Sequence, residues 1–287
     1  MQIDIVTVFP EMIRAALDHS IVKRAQERGI VTLNVVNLRD FTEDRHKTTD
    51  DVPYGGGGGM VMKIEPIALA LASLTQNSSP RIVITDPRGP QFTQETAKQW
   101  AKEPHLILLC GHYEGVDERV RQNLVTDEVS IGDYILTGGE LPALVIVDAL
   151  TRLQPGALGD EEAPDKDTFA DNLLEYPHYT RPREFRGWSV PDILLCGHHA
   201  LIQKWRRWQQ LRATQQRRPD LFQRLELSPQ DQKLINSEEP TAPPDEKAIR
   251  RAAQAATALP TPEAQTTELQ ERQEEPHGTR TGNNTRD

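Results

Sequence analysis

Leu106-Ile107-Leu108-Leu109-Cys110-Gly111-His112-Tyr113-Glu114-Gly115-Val116-Asp117-Glu118-Arg119 passes directly from five apolar residues into a polar turn with two glycines. A short apolar run bounded by glycine reads as a strand buried on both faces. Three other runs share that character: Ile3–Phe9, Val31–Val36 and Arg81–Asp86. Helical patterns at Met12–Arg28, Glu65–Leu74 and Thr93–Lys102 alternate with them. Strands alternating with helices specify an α/β domain with a largely parallel sheet. Ligands of such sheets bind beyond the carboxyl ends of the strands, so the polar cluster after Cys110 is a candidate site. It also suits a helix start, where the dipole favours Asp117 and Glu118; both readings can hold together.

Two more glycine segments flank it. Val52-Pro53-Tyr54-Gly55-Gly56-Gly57-Gly58-Gly59-Met60 is either a flexible loop or a place where backbone approaches a ligand or another loop closely. Ser130-Ile131-Gly132-Asp133-Tyr134-Ile135-Leu136-Thr137-Gly138-Gly139-Glu140-Leu141-Pro142 interrupts a hydrophobic stretch with a bulge or tight turn. Pro142–Leu153 then reads as a mostly buried helix. No Gly-Lys-Ser/Thr follows the glycines, which excludes a phosphate-binding P-loop. No Gly-x-Gly-x-x-Gly turn follows the first strand, which disfavours a dinucleotide-binding Rossmann domain.

Composition removes other classes. Two cysteines, Cys110 and Cys196, make neither a disulfide framework nor a four-thiolate zinc site, and they suit a reducing cytoplasm. Adjacent His198 and His199 with a lone Cys196 do not suggest zinc either. No apolar run approaches bilayer length, and no basic region precedes the first apolar residues, so neither a membrane span nor a signal peptide is expected. The formal net charge of −10 would argue against a nucleic-acid partner if it were evenly spread. Residues 1–167 hold 16 basic and 26 acidic side chains, residues 168–236 hold 11 and 7, and residues 237–287 hold 6 and 10. A basic segment therefore sits between two acidic ones.

That basic segment reads as helical. Leu201, Trp205, Trp208 and Leu211 mark one face of a helix within Gly197–Gln216, the tryptophans as core, and Ser228-Pro229-Gln230-Asp231 is a helix start. Lys204, Arg206, Arg207, Arg212, Arg217 and Arg218 occur with no acid among them, as a solvated face or a phosphate-binding patch. Gly156–Asp167 is polar and acidic, an exposed linker or mobile loop. Residues 237–287 have no aromatic residue and six prolines; such a stretch buries too little apolar surface to order, apart from a short helix around Glu246–Ala258. Removing it after Asn236 is expected to spare activity.

Tyr-Gly-Gly-Gly-x-Gly-Met (54–60), Gly-His-Tyr-Glu-Gly-Val-Asp-Glu-Arg (111–119), the 130–142 segment, Pro177-His178-Tyr179-Thr180-Arg181-Pro182, and Gly197-His198-His199-x-x-Ile202-x-Lys204-Trp205-Arg206 occur in this order. Together they resemble the bacterial tRNA (guanine-N1)-methyltransferase family, over roughly residues 1–236. The resemblance implies a SPOUT-type α/β fold with a parallel sheet and a C-terminal trefoil knot, an exception to the unknotted rule, plus a small helical C-terminal domain. With the composition of the tail, it divides the chain into a methyltransferase domain (1–157), a mobile linker (158–170), a helical tRNA-binding domain (171–236) and, outside the resemblance, a disordered extension (237–287). It further implies a homodimer with its active site between subunits.

The implied reaction moves a methyl group from S-adenosylmethionine to N1 of guanine 37, next to the tRNA anticodon. Guanine N1 has no free lone pair until its proton leaves, so a general base is required and charge builds on O6. The match assigns the base to Asp167, followed here by Thr168 where serine is usual, and the O6 cation to Arg152. By themselves, Asp167 reads as a solvated linker acid and Arg152 as a helix C-terminal cation. For the methyl donor the match indicates Pro87, Gly111, Tyr113, Ile131, Gly132, Tyr134, Leu136, Gly138 and Gly139, types suited to a neutral, amphipathic ligand. Glu114 would meet the donor's amino-acid end or help hold tRNA. Family members use magnesium; with no metal-ligand cluster in the sequence, the ion is expected to join the substrate complex. The alternatives are a SPOUT methyltransferase for another RNA, disfavoured by the 177–182 and 197–206 segments, and a non-catalytic RNA-binding protein, disfavoured by Asp167 and Arg152.

Overall fold

The computed structural model describes residues 1–76, 78–160, 167–169 and 171–243. The helix expected near Glu246–Ala258, most of the expected extension and residues 161–166 and 170 of the expected linker lie outside them. The described chain forms two compact units: Met1–Glu175 with Ala213–Glu226, and Tyr176–Arg212 with the residues from Leu227 onward. The units do not follow the expected division at 158–170, because the first runs on to Glu175 and takes in a later segment.

In the first unit, beside the separate antiparallel pair β3 (Asp50–Asp51) and β4 (Val61–Met62), one sheet is formed by β1 (Gln2–Thr7), β2 (Thr32–Asn37), β5 (Arg81–Thr85), β6 (His105–Cys110) and β7 (Asp127–Val129) in the order β2-β1-β6-β5-β7. Every pairing in that sheet is parallel. Central β6 is buried at all six residues, which is why it reads as a continuous apolar run rather than an alternating one. Two-residue periodicity divides its side chains between two cores. Leu106, Leu108 and Cys110 join Ile3, Ile5 and Val83 against α1 (Pro10–Leu17), α2 (Ser20–Glu27), α4 (Gln94–Trp100) and α6 (Glu140–Thr151). Ile107 and Leu109 join Val6 and Ile84 against α3 (Ile64–Leu74) and α5 (Glu118–Asn123). Truncating a buried leucine of this kind to alanine costs about 2–5 kcal/mol.

Local chemistry explains where the sequence reading shifts. The single helix expected over Met12–Arg28 breaks at Asp18-His19-Ser20: Ser20 has a φ of +54° and the Asp18 carboxylate pairs with Lys23 at 2.9 Å. These are weak helix formers with competing side-chain bonds. The helix expected from Pro142 begins at Glu140, since proline is tolerated in a first turn whose N–H groups have no intrahelical acceptor. Thr93 and Ser228 cap α4 and α9 (Pro229–Ile235), accepting from the Thr96 and Asp231 amides at 3.2 and 3.0 Å. At the amino ends of β1 and β6, fully buried Asp4 meets His105 Nε2 and Asn34 Nδ2, each at 2.7 Å. A buried carboxylate needs such partners.

The second unit contains the hairpin β8 (Glu184–Phe185) and β9 (Trp188–Ser189), most of α7 (His199–Arg217), and α9; the short α8 (Pro219–Phe222) belongs to the first unit. Ile202, Trp205 and Leu211 are buried, while Leu201 and Trp208 are half-buried. The basic patch is smaller than its sequence suggests. Arg207 pairs with Asp231 at 2.8 Å, Arg218 with Asp220 at 2.6 Å, and the Arg206 guanidinium lies 4.7 Å over the Tyr176 ring.

The boundary expected after Asn236 also moves. The Trp205 indole donates to Glu239 Oε1 at 2.7 Å, and that of Trp208 to the Ser237 carbonyl at 3.3 Å. Cutting after Asn236 removes both acceptors and leaves the Trp205 N–H unpaired, a loss of about 1–3 kcal/mol. A chain ending at Pro243 should therefore melt like the full chain, and one ending at Asn236 several degrees lower. Equal melting temperatures would show that these bonds hold nothing.

Candidate active site

A cleft of about 380 Å³ opens at the carboxyl ends of β5, β6 and β7, within the size range of small-molecule sites. The nine residues that the resemblance assigns to the methyl donor line it, Pro87, Gly111, Tyr113, Ile131, Gly132, Tyr134, Leu136, Gly138 and Gly139, and so does Glu114. Their order along the chain shows how the cleft is made. Pro87 follows β5, residues 111–114 follow β6, and residues 131–139 follow β7.

Gly139 inserts between two strand ends. Its amide donates to the Gly111 carbonyl at 2.7 Å, and an added Cβ would lie 2.8 Å from Cys110 Cα and Gly111 N. At the neighbouring turn, Tyr113 has a φ of +60°, a left-handed conformation that strains a bulky residue by about 1–3 kcal/mol. Backbone bonds hold it there: Gly115 N to His112 O at 3.1 Å and Glu114 N to Met60 O at 3.0 Å. The second bond ties the five-glycine segment to the cleft. A Cβ on Gly59 would run into the Glu114 side chain, whereas Gly55 to Gly58 face open space. Both readings of that segment thus apply, to different glycines.

The arginine on the cleft wall is paired with an acid. Arg88 lines the cleft and donates to Asp86 at 3.1 Å through both Nε and Nη2. Burial opposes ionisation of Asp86, but the Arg88 bonds and the Arg121 charge outweigh it and hold the carboxyl below its usual range. Arg121 also bonds Glu128. Burial, helped by the Glu140 charge, pushes the Cys110 thiol well up. It is therefore a core side chain and not a nucleophile.

Behind the cleft lies a group that sequence reading missed. Glu140 is 2% exposed; its Oε1 accepts from Thr7 Oγ1 at 2.7 Å, and its Oε2 lies 3.8 Å from His112 Nδ1. Thr7 Oγ1 in turn accepts from the Phe9 amide at 2.9 Å. An acid opening an otherwise apolar helix was the available signal. Nothing local pointed to its partner 133 residues away.

Arg152 and Asp167 are together, but not in this cleft. Arg152 Nη2 donates to Asp167 Oδ2 at 2.6 Å. Arg152 lines a separate cavity with Lys98, Lys102 and Gln154. Glu140 opens α6 and Arg152 caps its end, so twelve residues of helix, about 18 Å, separate the two places. Among the described residues, no three His, Cys, Asp or Glu side chains are grouped to hold a metal, and no helix is long and apolar enough to cross a membrane.

Residues 1–224 match the family model described as tRNA (Guanine-1)-methyltransferase TrmD. Curated relatives named tRNA (guanine-N(1)-)-methyltransferase include proteins of Brevibacillus brevis and Halalkalibacterium halodurans. Each is 54% identical to this chain, over 82% and 83% of it and 97% of the relative. One from Staphylococcus epidermidis is 48% identical over 83% of this chain and 97% of its own. With the strand-end cleft and its glycine turns in place, the chain belongs to the tRNA (guanine-1)-methyltransferase family.

Proposed function

We propose that this chain is a cytoplasmic enzyme that transfers a methyl group from S-adenosylmethionine to N1 of guanine 37 in tRNA, acting as a homodimer. The observation that carries the reading is the separation along α6. Methyl transfer requires donor and acceptor about 3 Å apart, yet donor cleft and acid–arginine pair stand at opposite ends of one helix. Leu141 and Val145 are 46% and 48% exposed, and they continue through Asp148 to Arg152 as a stripe along α6. Pairing that stripe with its two-fold copy, antiparallel, sets each cleft against the other chain's Arg152 and Asp167. Two-fold interfaces are self-complementary in this way.

The cleft fits the donor. Apolar side chains and glycine backbone line the cleft beside Asp86, His112 and Glu114, its one arginine is neutralised by Asp86, and Gly138 and Gly139 let the turn after β7 seat against His112 and the end of β6. When bound, the donor supplies an electrophilic methyl group on a sulfonium. Leu136, Ile131 and Tyr134 hold its apolar parts and exclude water, and Glu114 faces its charged end or the tRNA. The Gly138–Gly139 insertion between β5 and β6 supports a knotted SPOUT path for this part of the chain.

Guanine presents O6, an acceptor, beside N1–H, a donor. Arg152 and Asp167 carry the complementary pair, and in the free chain they satisfy each other. When guanine takes their place as partner, Arg152 turns to O6 and Asp167 accepts the N1 proton, so that the lone pair on N1 is freed while the charge on O6 is held. Magnesium has no ligand set among the described residues, and no step is assigned to it. The helical unit, with exposed Lys204, supplies phosphate contacts.

The test is transfer of labelled methyl from S-adenosylmethionine to tRNA transcripts that differ at position 37. N1-methylguanine is expected in the guanine transcript alone. If that transcript gains none, the reading is wrong.

A further inference from the structure

The β8–β9 hairpin presents two aromatic rings that the donor chemistry does not use. Phe185 and Trp188 are directly opposed in register and therefore share one face, with ring centroids 6.1 Å apart. They are 53% and 71% exposed. Between them, Arg186 and Gly187 have φ values of +55° and +81°. Two left-handed residues make the tight turn whose twist matches a hairpin, so the rings stand on a stiff backbone. The Arg186 guanidinium lies 5.1 Å over the Phe185 ring. Arg181 and Arg183 precede the hairpin, and Glu184 is the one acid in 181–189.

An exposed tryptophan beside an exposed phenylalanine marks a contact surface. Its composition selects the partner. Flat rings and an arginine plane stack unpaired nucleobases, while surrounding guanidinium groups meet phosphates. A second copy of the chain fits less well: two aromatic side chains cover about 300–500 Å², well short of the roughly 800 Å² per partner of a stable interface.

We propose that Phe185, Arg186 and Trp188 form a stacking platform for unpaired bases of the substrate RNA. This rests on tRNA being the substrate, and it adds a base contact outside the methyl-transfer site. Because the hairpin rings are exposed, their loss leaves the fold intact.

The experiment measures affinity of the full-length protein for a guanine-37 tRNA transcript over a range of salt. W188A should weaken binding about 10- to 100-fold, the worth of one stacked base, with the salt slope unchanged. W188F should keep most of the affinity, and R186Q should lower the slope by about one. Donor affinity, turnover at saturating tRNA, melting temperature and oligomeric state should match wild type in all three. Wild-type affinity in W188A overturns the platform. So does a W188A protein that changes oligomeric state, since the rings would then be a subunit contact. A wild-type chain that does not bind tRNA removes the substrate reading as well, a result distinct from either.

Discussion

Asp167→Ala is expected to lower single-turnover methyl transfer by about 10²- to 10⁴-fold and to leave methyl-donor affinity unchanged. The asymmetry follows from position. Asp167 bonds Arg152 beyond the end of α6, while the residues proposed for the donor line a cleft at its start. Removing the carboxylate takes away the base proposed for guanine N1 and leaves the walls of the proposed donor cleft untouched. Arg152→Ala should also slow transfer, with a different signature: charge on O6 loses its partner, and Asp167 loses the cation that now bonds it at 2.6 Å. Isothermal titration with the donor and rapid-quench methylation separate the two halves. Persistent turnover in the Asp167 variant would remove that residue from the base role, and lost donor binding would place it in the cleft.

The second large effect concerns the division of labour between chains. Gly139→Ala alone should abolish donor binding. Gly139 has a φ of −83°, which any residue accepts, so the obstacle is space: a Cβ would press on Cys110 Cα and Gly111 N of the central strand end. Arg152→Ala alone should be nearly inactive for the reason above. A purified heterodimer of the two keeps one undamaged cleft opposite one undamaged Arg152–Asp167 pair, and should regain about half of wild-type activity. A heterodimer as inactive as its parents would show that each chain uses its own pair, and the composite site would be discarded.

Legibility varied with how local each signal was. The four long strands were visible as β-branched and aliphatic runs, continuous where β6 is buried on both faces and still apolar at Leu33, Val35 and Val36 of edge strand β2, none of whose residues is buried. β7 was not. Asp127-Glu128-Val129 holds two acids, and its place beside β5 depends on Arg81, which meets Asp127 at 2.8 Å, and on Arg121, which bonds Glu128. Arg81 is 46 residues from Asp127, outside any local window, and Arg121, seven residues before Glu128, meets it only because α5 packs beside β7. The β8–β9 hairpin was hidden for a related reason. Its strands are two residues each, too short for alternation to register, and its turn has glycine at only one of two left-handed positions.

The residues proposed for the methyl donor were indicated by the family resemblance; by type and order alone, the segments after β6 and β7 read as a polar cluster at a strand end and as a bulge or tight turn. Glu140 lies outside the helix expected from Pro142 and drew no reading of its own; its burial against Thr7 and its approach to His112 need the sheet to bring β1, β6 and α6 together. By itself, then, the sequence determined the strand–helix alternation, the buried center of the sheet and the glycine turns near its strand ends, while the roles proposed for Asp167 and Arg152 came from the family resemblance. Tertiary structure alone decided where these lie. Hydrophobic periodicity reports which side of an element is buried, but not how far one end of it stands from a site at the other. The length of α6 sets that distance, and it is what divides the proposed active site between two chains.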